Sequence, residues 1–143
     1  MVPSLQSKGF TLIELLVVIA IIGVFSSVSL ASLQVARQRA NDTARVSDVK
    51  ALKTAIELYY NDNHMYPQYG VADTAQFVKR LTLLVPNYMT SMPVVFKNDA
   101  DQYVWSGTDS YGLYIYTEAS HGYCRTGVNI NPSWWGNPPD CNF

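Results

Sequence analysis

KGFTLIELLVVIAIIG, residues 8–23, decides how the rest of the chain is read. The stretch is apolar enough to favour a lipid bilayer, yet it holds a carboxylate, Glu14, near its start. A Lys8-Gly9 pair stands just ahead of it. From Leu15 to Ala36 there is no charged residue. As a helix that segment is about 33 Å long, enough to cross a ~30 Å hydrocarbon core. A buried helix of a soluble protein of 143 residues is rarely so long and so uniformly apolar. A secretory signal has a basic region, a short apolar core and then a small-residue cleavage site. Here the Lys-Gly pair comes first and the apolar run is long enough to stay as an anchor.

Working outward, Val46, Val49, Leu52, Ile56 and Tyr59 recur at threes and fours, the spacing of an amphipathic helix. Arg45, Asp48, Lys50, Lys53 and Glu57 fall between them, with Arg45 and Asp48 one turn apart. No proline interrupts the chain between Pro3 and Pro67, so one helix is expected from about Phe10 to Asn61. Asn61, Asp62 and Asn63 suit its end because they tolerate turn and left-handed conformations. Tyr66 and Pro67 then start an extended connector. DTAQFVKRLTLLV, residues 73–85, predicts a short second helix, capped by Asp73 and Gln76, buried through Phe77, Leu81 and Leu84, and ended by Pro86. QYVWSGTDSYGLYIYTEA, residues 102–119, predicts a hairpin turning on Ser-Gly-Thr-Asp-Ser. Its Tyr103, Trp105, Tyr111, Leu113 and Ile115 alternate onto one side, leaving Tyr114 and Tyr116 on the other. The last stretch, residues 124–142, reads as a long loop with an edge strand near Gly127 to Ile130.

Charge and composition narrow the function. Residues 1–61 hold six Lys/Arg and four Asp/Glu, whereas residues 62–143 hold four and seven. The second part is mildly acidic, so nucleic acid is not a favoured partner. Cys124 and Cys141 have neither Cys-x-x-Cys spacing nor paired histidines, which argues against zinc. A disulfide closing the C-terminal loop, or two buried free thiols, accounts for them; the disulfide places this part outside the cytoplasm. His64 and His121 suit turns or the surface. Asp99, Asp101 and Asp109 do not follow the spacing of a calcium loop and read as a solvated turn. Trp134 and Trp135 suit three uses: stacking a sugar ring or base, plugging a small core, or packing on another subunit. There is no nucleophile paired with a base, no carboxylate pair in a catalytic frame and no phosphate loop. No enzyme, metal or cofactor is expected.

The N-terminal motif resembles the class III signal of type IV pilins and of type II secretion pseudopilins. DVKALKTAIELYYNDNHMYP, residues 48–67, resembles the end of the pilin helix, and the Cys124–Cys141 region resembles the disulfide-bounded C-terminal region of type IV pilins. The residues after Tyr88 (Ser91-Met-Pro-Val-Val95) depart from the family's usual turn. The resemblance implies that a prepilin peptidase reads Lys8 and Gly9, cuts before Phe10 and methylates the new amine. It also implies that Glu14 pairs with the Phe10 amine of a neighbouring subunit, setting helix register. A carboxylate is costly in a lone anchor and useful in a bundle whose members each bring a cation.

The expected fold is α+β, a long N-terminal helix with a transmembrane first half, laid against a small antiparallel sheet. Residues 1–9 would be a leader, 10–36 a membrane or filament-core helix, 37–61 its amphipathic continuation and 62–143 a globular head. The resemblance implies a structural subunit of a type IV pilus-like filament. It would be stored across the cytoplasmic membrane, with lipid around its helix, and polymerised on a membrane assembly platform into an extracellular or periplasmic homo-oligomer. A secretion pseudopilin is the alternative, followed by a membrane-anchored sugar- or DNA-binding module. Mass spectrometry of assembled protein is expected to find an N-methylated Phe10 at the amino terminus; an intact Met1 would contradict the processing.

Overall fold

The computed structural model describes residues 9–93, 96, 101–118 and 122–142. Lys8, Asp99 and His121 lie outside the described residues, as do most of residues 1–9. The chain divides into two units, one running through Arg37 and the other from Gln38 onward. A single helix, α1 (Leu12–Asn63), contributes to both. Its apolar part is long enough to cross a membrane. From Leu12 to Val35 every large apolar side chain is at least 44% exposed.

From Arg45 onward the same helix behaves differently. Val49, Leu52, Ala55 and Ile56 are buried, one stripe at three- and four-residue spacing. The helix ends two residues beyond the expected Asn61. Its left-handed residue is His64 (φ 55°), whose N–H donates to the Tyr60 carbonyl at 2.7 Å. The Asn63 amide adds a bond to the Tyr59 carbonyl at 2.9 Å, so two orphan carbonyls of the last turn are satisfied.

The buried stripe meets an antiparallel meander in the order β1 (Gln76–Phe77), β2 (Gln102–Ser106), β3 (Ser110–Thr117), β4 (Gly122–Val128). The expected hairpin is present, with Tyr103 opposite Leu113 and Ser106 opposite Ser110. Tyr103, Tyr111, Leu113 and Ile115 are fully buried, the inward half of a period-two pattern. The outer strand was expected near Gly127 to Ile130. It is instead Gly122–Val128, paired along β3 from Thr117↔Gly122 to Tyr111↔Val128. It stops where Asn129 turns left-handed (φ 49°).

Residues 73–85 do not form the expected helix. Asp73 is left-handed (φ 57°) and so cannot start one as an ordinary cap. Gln76 and Phe77 pair with Tyr103 and Gln102, and two 3-10 turns follow, Val78–Arg80 and Thr82–Leu84. Leu81 (ψ 43°) breaks the path between them. Leu81 and Leu84 are buried as expected, but Val78 joins them while Phe77 is only half-buried. The tight i to i+3 turns bring Val78, Leu81 and Leu84 to one side, which helical spacing mimics.

Arg45 falls between the apolar positions of the helix, one turn from Asp48, and Asp101 was expected in a solvated turn. Both are buried, and Arg45 Nη1 lies 2.7 Å from Asp101 Oδ2. The other Asp101 oxygen accepts the Tyr116 N–H at 3.0 Å. Burial pushes the Asp101 carboxyl up, while the Tyr116 N–H and the Arg45 guanidinium pull it back. The pair joins α1 to the segment entering β2 and, through Tyr116, to β3. Asp101→Ala should leave Arg45 as an uncompensated buried charge and cost about 3–5 kcal/mol. Denaturant unfolding of the full chain in detergent should show this loss, and the double variant Arg45→Met/Asp101→Leu should recover a large part of it.

Candidate functional site

Two places in the chain carry the chemistry singled out by the sequence: the start of α1 and the C-terminal tail. At the helix start, Thr11 precedes Leu12 and closes a reciprocal box with Glu14. The Glu14 carboxylate accepts from the Thr11 N–H at 3.0 Å and from the Thr11 hydroxyl at 2.7 Å. The Glu14 N–H returns a bond to Thr11 Oγ1 at 3.3 Å. This Thr-x-x-Glu spacing is a capping box. The signal was present in residues 11–14 but was hidden by the pilin-like motif that contains it. A helix start also favours negative charge, since its first N–H groups have no intrahelical acceptor. All the groups in the box lie after the Gly9–Phe10 bond, so removing residues 1–9 leaves them intact. Phe10 is 78% exposed.

The tail is stitched to the outer strand. Cys124 and Cys141 form a disulfide across 17 residues of sequence, with their Cα atoms 4.9 Å apart. Beside it the Arg125 N–H donates to the Pro139 carbonyl at 2.9 Å and the Cys141 N–H to the Arg125 carbonyl at 2.8 Å. Arg125 Nε also pairs with Asp140 at 2.9 Å.

Between these anchors the tail crosses the sheet face opposite α1. Trp134 is buried and donates its indole N–H to Asp73 Oδ1 at 3.1 Å. Trp135 donates to Gln102 Oε1 at 2.7 Å and stacks on Tyr114, with ring centres 5.2 Å apart. Tyr114 in turn stacks on Tyr123 at 4.4 Å. Gly112 makes the seat: a Cβ there would stand 3.0 Å from the Trp135 ring and 3.1 Å from that of Trp134. Trp134 is buried against the sheet but stands apart from the core between α1 and the strands. Trp135 remains half-exposed.

On the other face, Tyr66 and Tyr111 donate their hydroxyls to the Glu57 carboxylate at 3.3–3.4 Å. Burial and the Glu57 charge push the Tyr66 phenol up to about 12, and the same two causes raise Tyr111. These phenols stay neutral at physiological pH and serve as donors. Asp101 is committed to Arg45, and Asp109 lies in the β2–β3 turn. Among the described residues no group of three or more His, Cys, Asp or Glu gathers to hold a metal.

Residues 5–30 match the family model described as the prokaryotic N-terminal methylation motif. A type II secretion system core protein G of Escherichia coli is 44% identical over 62 residues, covering 43% of each chain. The corresponding protein of Vibrio cholerae is 37% identical over 62 residues, covering 43% of this chain and 42% of its own. A type IV wide pilus major component of Thermus thermophilus is 47% identical over 61 residues, covering 43% of this chain and 47% of its own. Each match thus spans less than half of the relative's length. No solved structure matches the chain. The chain therefore carries a prepilin-type amino terminus, similar to those of pilins and pseudopilins.

Cys141→Ser should release the tail. The chain-entropy account gives a loss of about 3 kcal/mol for a loop of this size. Tryptophan emission should move to longer wavelength as Trp134 gains water, before the rest of the sheet unfolds.

Proposed function

We propose that the chain is a structural subunit of a type IV pilus-like filament. In this reading a prepilin peptidase acting at Lys8-Gly9-Phe10 removes residues 1–9 and methylates Phe10. The mature chain waits in the cytoplasmic membrane as a single-pass protein, its C-terminal unit outside, until an assembly platform adds it to the filament. Residues 10–36 supply the filament core, and the rest of α1 joins residues 62–143 in the exposed domain. The protein's role is structural and needs no catalytic centre.

The observation that carries the reading is the apolar half of α1, uncovered from Leu12 to Val35 and holding one charged group, Glu14. An exposed apolar surface of this extent marks a membrane or protein interaction site. Lipid can cover it in the stored state, and identical helices can cover it in the filament. The match of residues 5–30 to the methylation motif supports the same processing. The disulfide supports an oxidising compartment for the C-terminal unit. It also favours a surface pilus through the resemblance of the tail to that of type IV pilins.

A secretion pseudopilin is the second reading, favoured by the similarity of a 62-residue stretch to secretion core protein G. Deleting the gene distinguishes the two: loss of surface filaments fits the pilus, and loss of exported protein with filaments unchanged fits the pseudopilin.

The box at the helix start sharpens the role of Glu14. A glutamine can close a capping box but brings no charge, whereas leucine can do neither. With each variant expressed as the only copy, Glu14→Gln and Glu14→Leu should both be cleaved and accumulate in the membrane without filaments. That outcome assigns assembly to the carboxylate's charge. Normal filaments from Glu14→Gln, with none from Glu14→Leu, would assign it to the cap alone. Normal filaments from both would remove Glu14 from assembly.

A further inference from the structure

We propose that a cavity on the tail-covered face of the sheet binds a single pyranose ring of a neutral sugar. The cavity has a volume of about 230 Å³, and its lining includes Asp73, Val104, Asn131, Ser133, Trp134 and Trp135. It is smaller than the ~300–1,000 Å³ pockets that take drug-sized molecules, which limits the occupant to about one ring.

The lining has two characters. The two tryptophans and Val104 give an apolar wall, and Asp73, Asn131 and Ser133 give a polar rim. Asp73 already accepts from the Trp134 indole at 3.1 Å and the Ser106 hydroxyl at 3.1 Å. These two donors leave further lone pairs on the carboxyl oxygens free to accept. Asn131 Oδ1 accepts from the Ser133 N–H at 3.0 Å and the Ser133 hydroxyl at 2.8 Å. Its amide nitrogen donates to nothing among the described residues. The rim therefore offers acceptors on Asp73, a donor on Asn131 and a hydroxyl on Ser133.

A pyranose ring has matching parts: an apolar C–H face for an indole, and an edge of hydroxyls that both donate and accept. Asp73 disfavours an anion, and the volume excludes a large flat aromatic ligand.

The site is held in a costly shape. Asp73 (φ 57°) and Trp135 (φ 56°) are both left-handed, and such a conformation is an outlier for a bulky residue like tryptophan. Strained backbone persists only where the surroundings over-determine it, and it gathers at ligand clamps. Here the surroundings are visible. Gly112 seats both indoles, Gln102 fixes the Trp135 N–H and the disulfide closes the tail. The wall is thus pre-formed, which reduces the cost of ordering on binding.

The test uses the full chain in a polyoxyethylene detergent, which carries neither sugar nor ammonium. Glucose, galactose, mannose and N-acetylglucosamine are titrated into the tens of millimolar. Tryptophan emission and saturation-transfer NMR on the sugar protons are followed. At least one sugar should give a saturable change in emission, with transfer strongest at the ring C–H protons. Asp73→Asn tolerates the left-handed backbone and can still accept the Trp134 N–H. It should weaken that binding about tenfold, the equivalent of one hydrogen bond, with an unchanged melting curve. Ser133→Ala should weaken it without altering the disulfide. No saturable response to any of the four sugars overturns the proposal, as does binding indifferent to both substitutions. Saturable binding of tetramethylammonium in place of the sugars would reassign the cavity to cations, and also overturns it.

Discussion

Among the described residues, every large apolar side chain in the first half of α1 is exposed, and that constraint governs the reading of everything else. A soluble domain cannot leave the side chains from Leu12 to Val35 in water, so the molecule must always be in company, of lipid or of other helices. The second half of the same helix obeys the opposite rule. Val49, Leu52, Ala55 and Ile56 find their cover within the chain, against Tyr103, Tyr111, Leu113 and Ile115. One continuous helix thus divides its apolar surface between a part buried in the chain's own core and a part left exposed.

Glu14 becomes intelligible under this constraint. In the isolated chain its carboxylate is held by Thr11, and both its oxygen and its own N–H are used in closing the helix start. The carboxylate is therefore ordered within its own chain. On the proposed assembly, an incoming amine would meet an acceptor already fixed in direction, and the same box limits fraying at the helix start.

The elements set by simple periodicity were readable from the residues. The helix and the hairpin depend on spacings of three to four and of two, and they appear with shifts of a residue or two at the ends. What could not be read depended on partners distant in sequence. Arg45 looks like a surface cation until Asp101, 56 residues away, supplies its counter-charge inside the fold. Val78, Leu81 and Leu84 share a side in a helix and in tight 3-10 turns alike, so residues 73–85 were ambiguous until pairing with β2 decided the matter. Gly122–Val128 is defined by its register on β3, and its mixture of Gly, Cys, Arg and Thr shows no alternation. At the sites, the motif, Glu14 and the cysteine pair were visible in the sequence. The cavity was not, because Asp73 and Trp134 meet across 61 residues.

The distribution of aromatic residues has an optical consequence. Trp105, Trp134 and Trp135, and every tyrosine, lie at or after Tyr59, whereas the apolar half of α1 and the residues before it contribute only Phe25 and Phe10. Absorbance and emission in the near ultraviolet therefore report almost wholly on the C-terminal unit. The segment that would make the filament is spectroscopically dark. An intrinsic signal that stays constant while light scattering grows would mean that polymerisation leaves the sheet and its tail untouched; a change in that signal would place a neighbour, or a ligand, against the indoles.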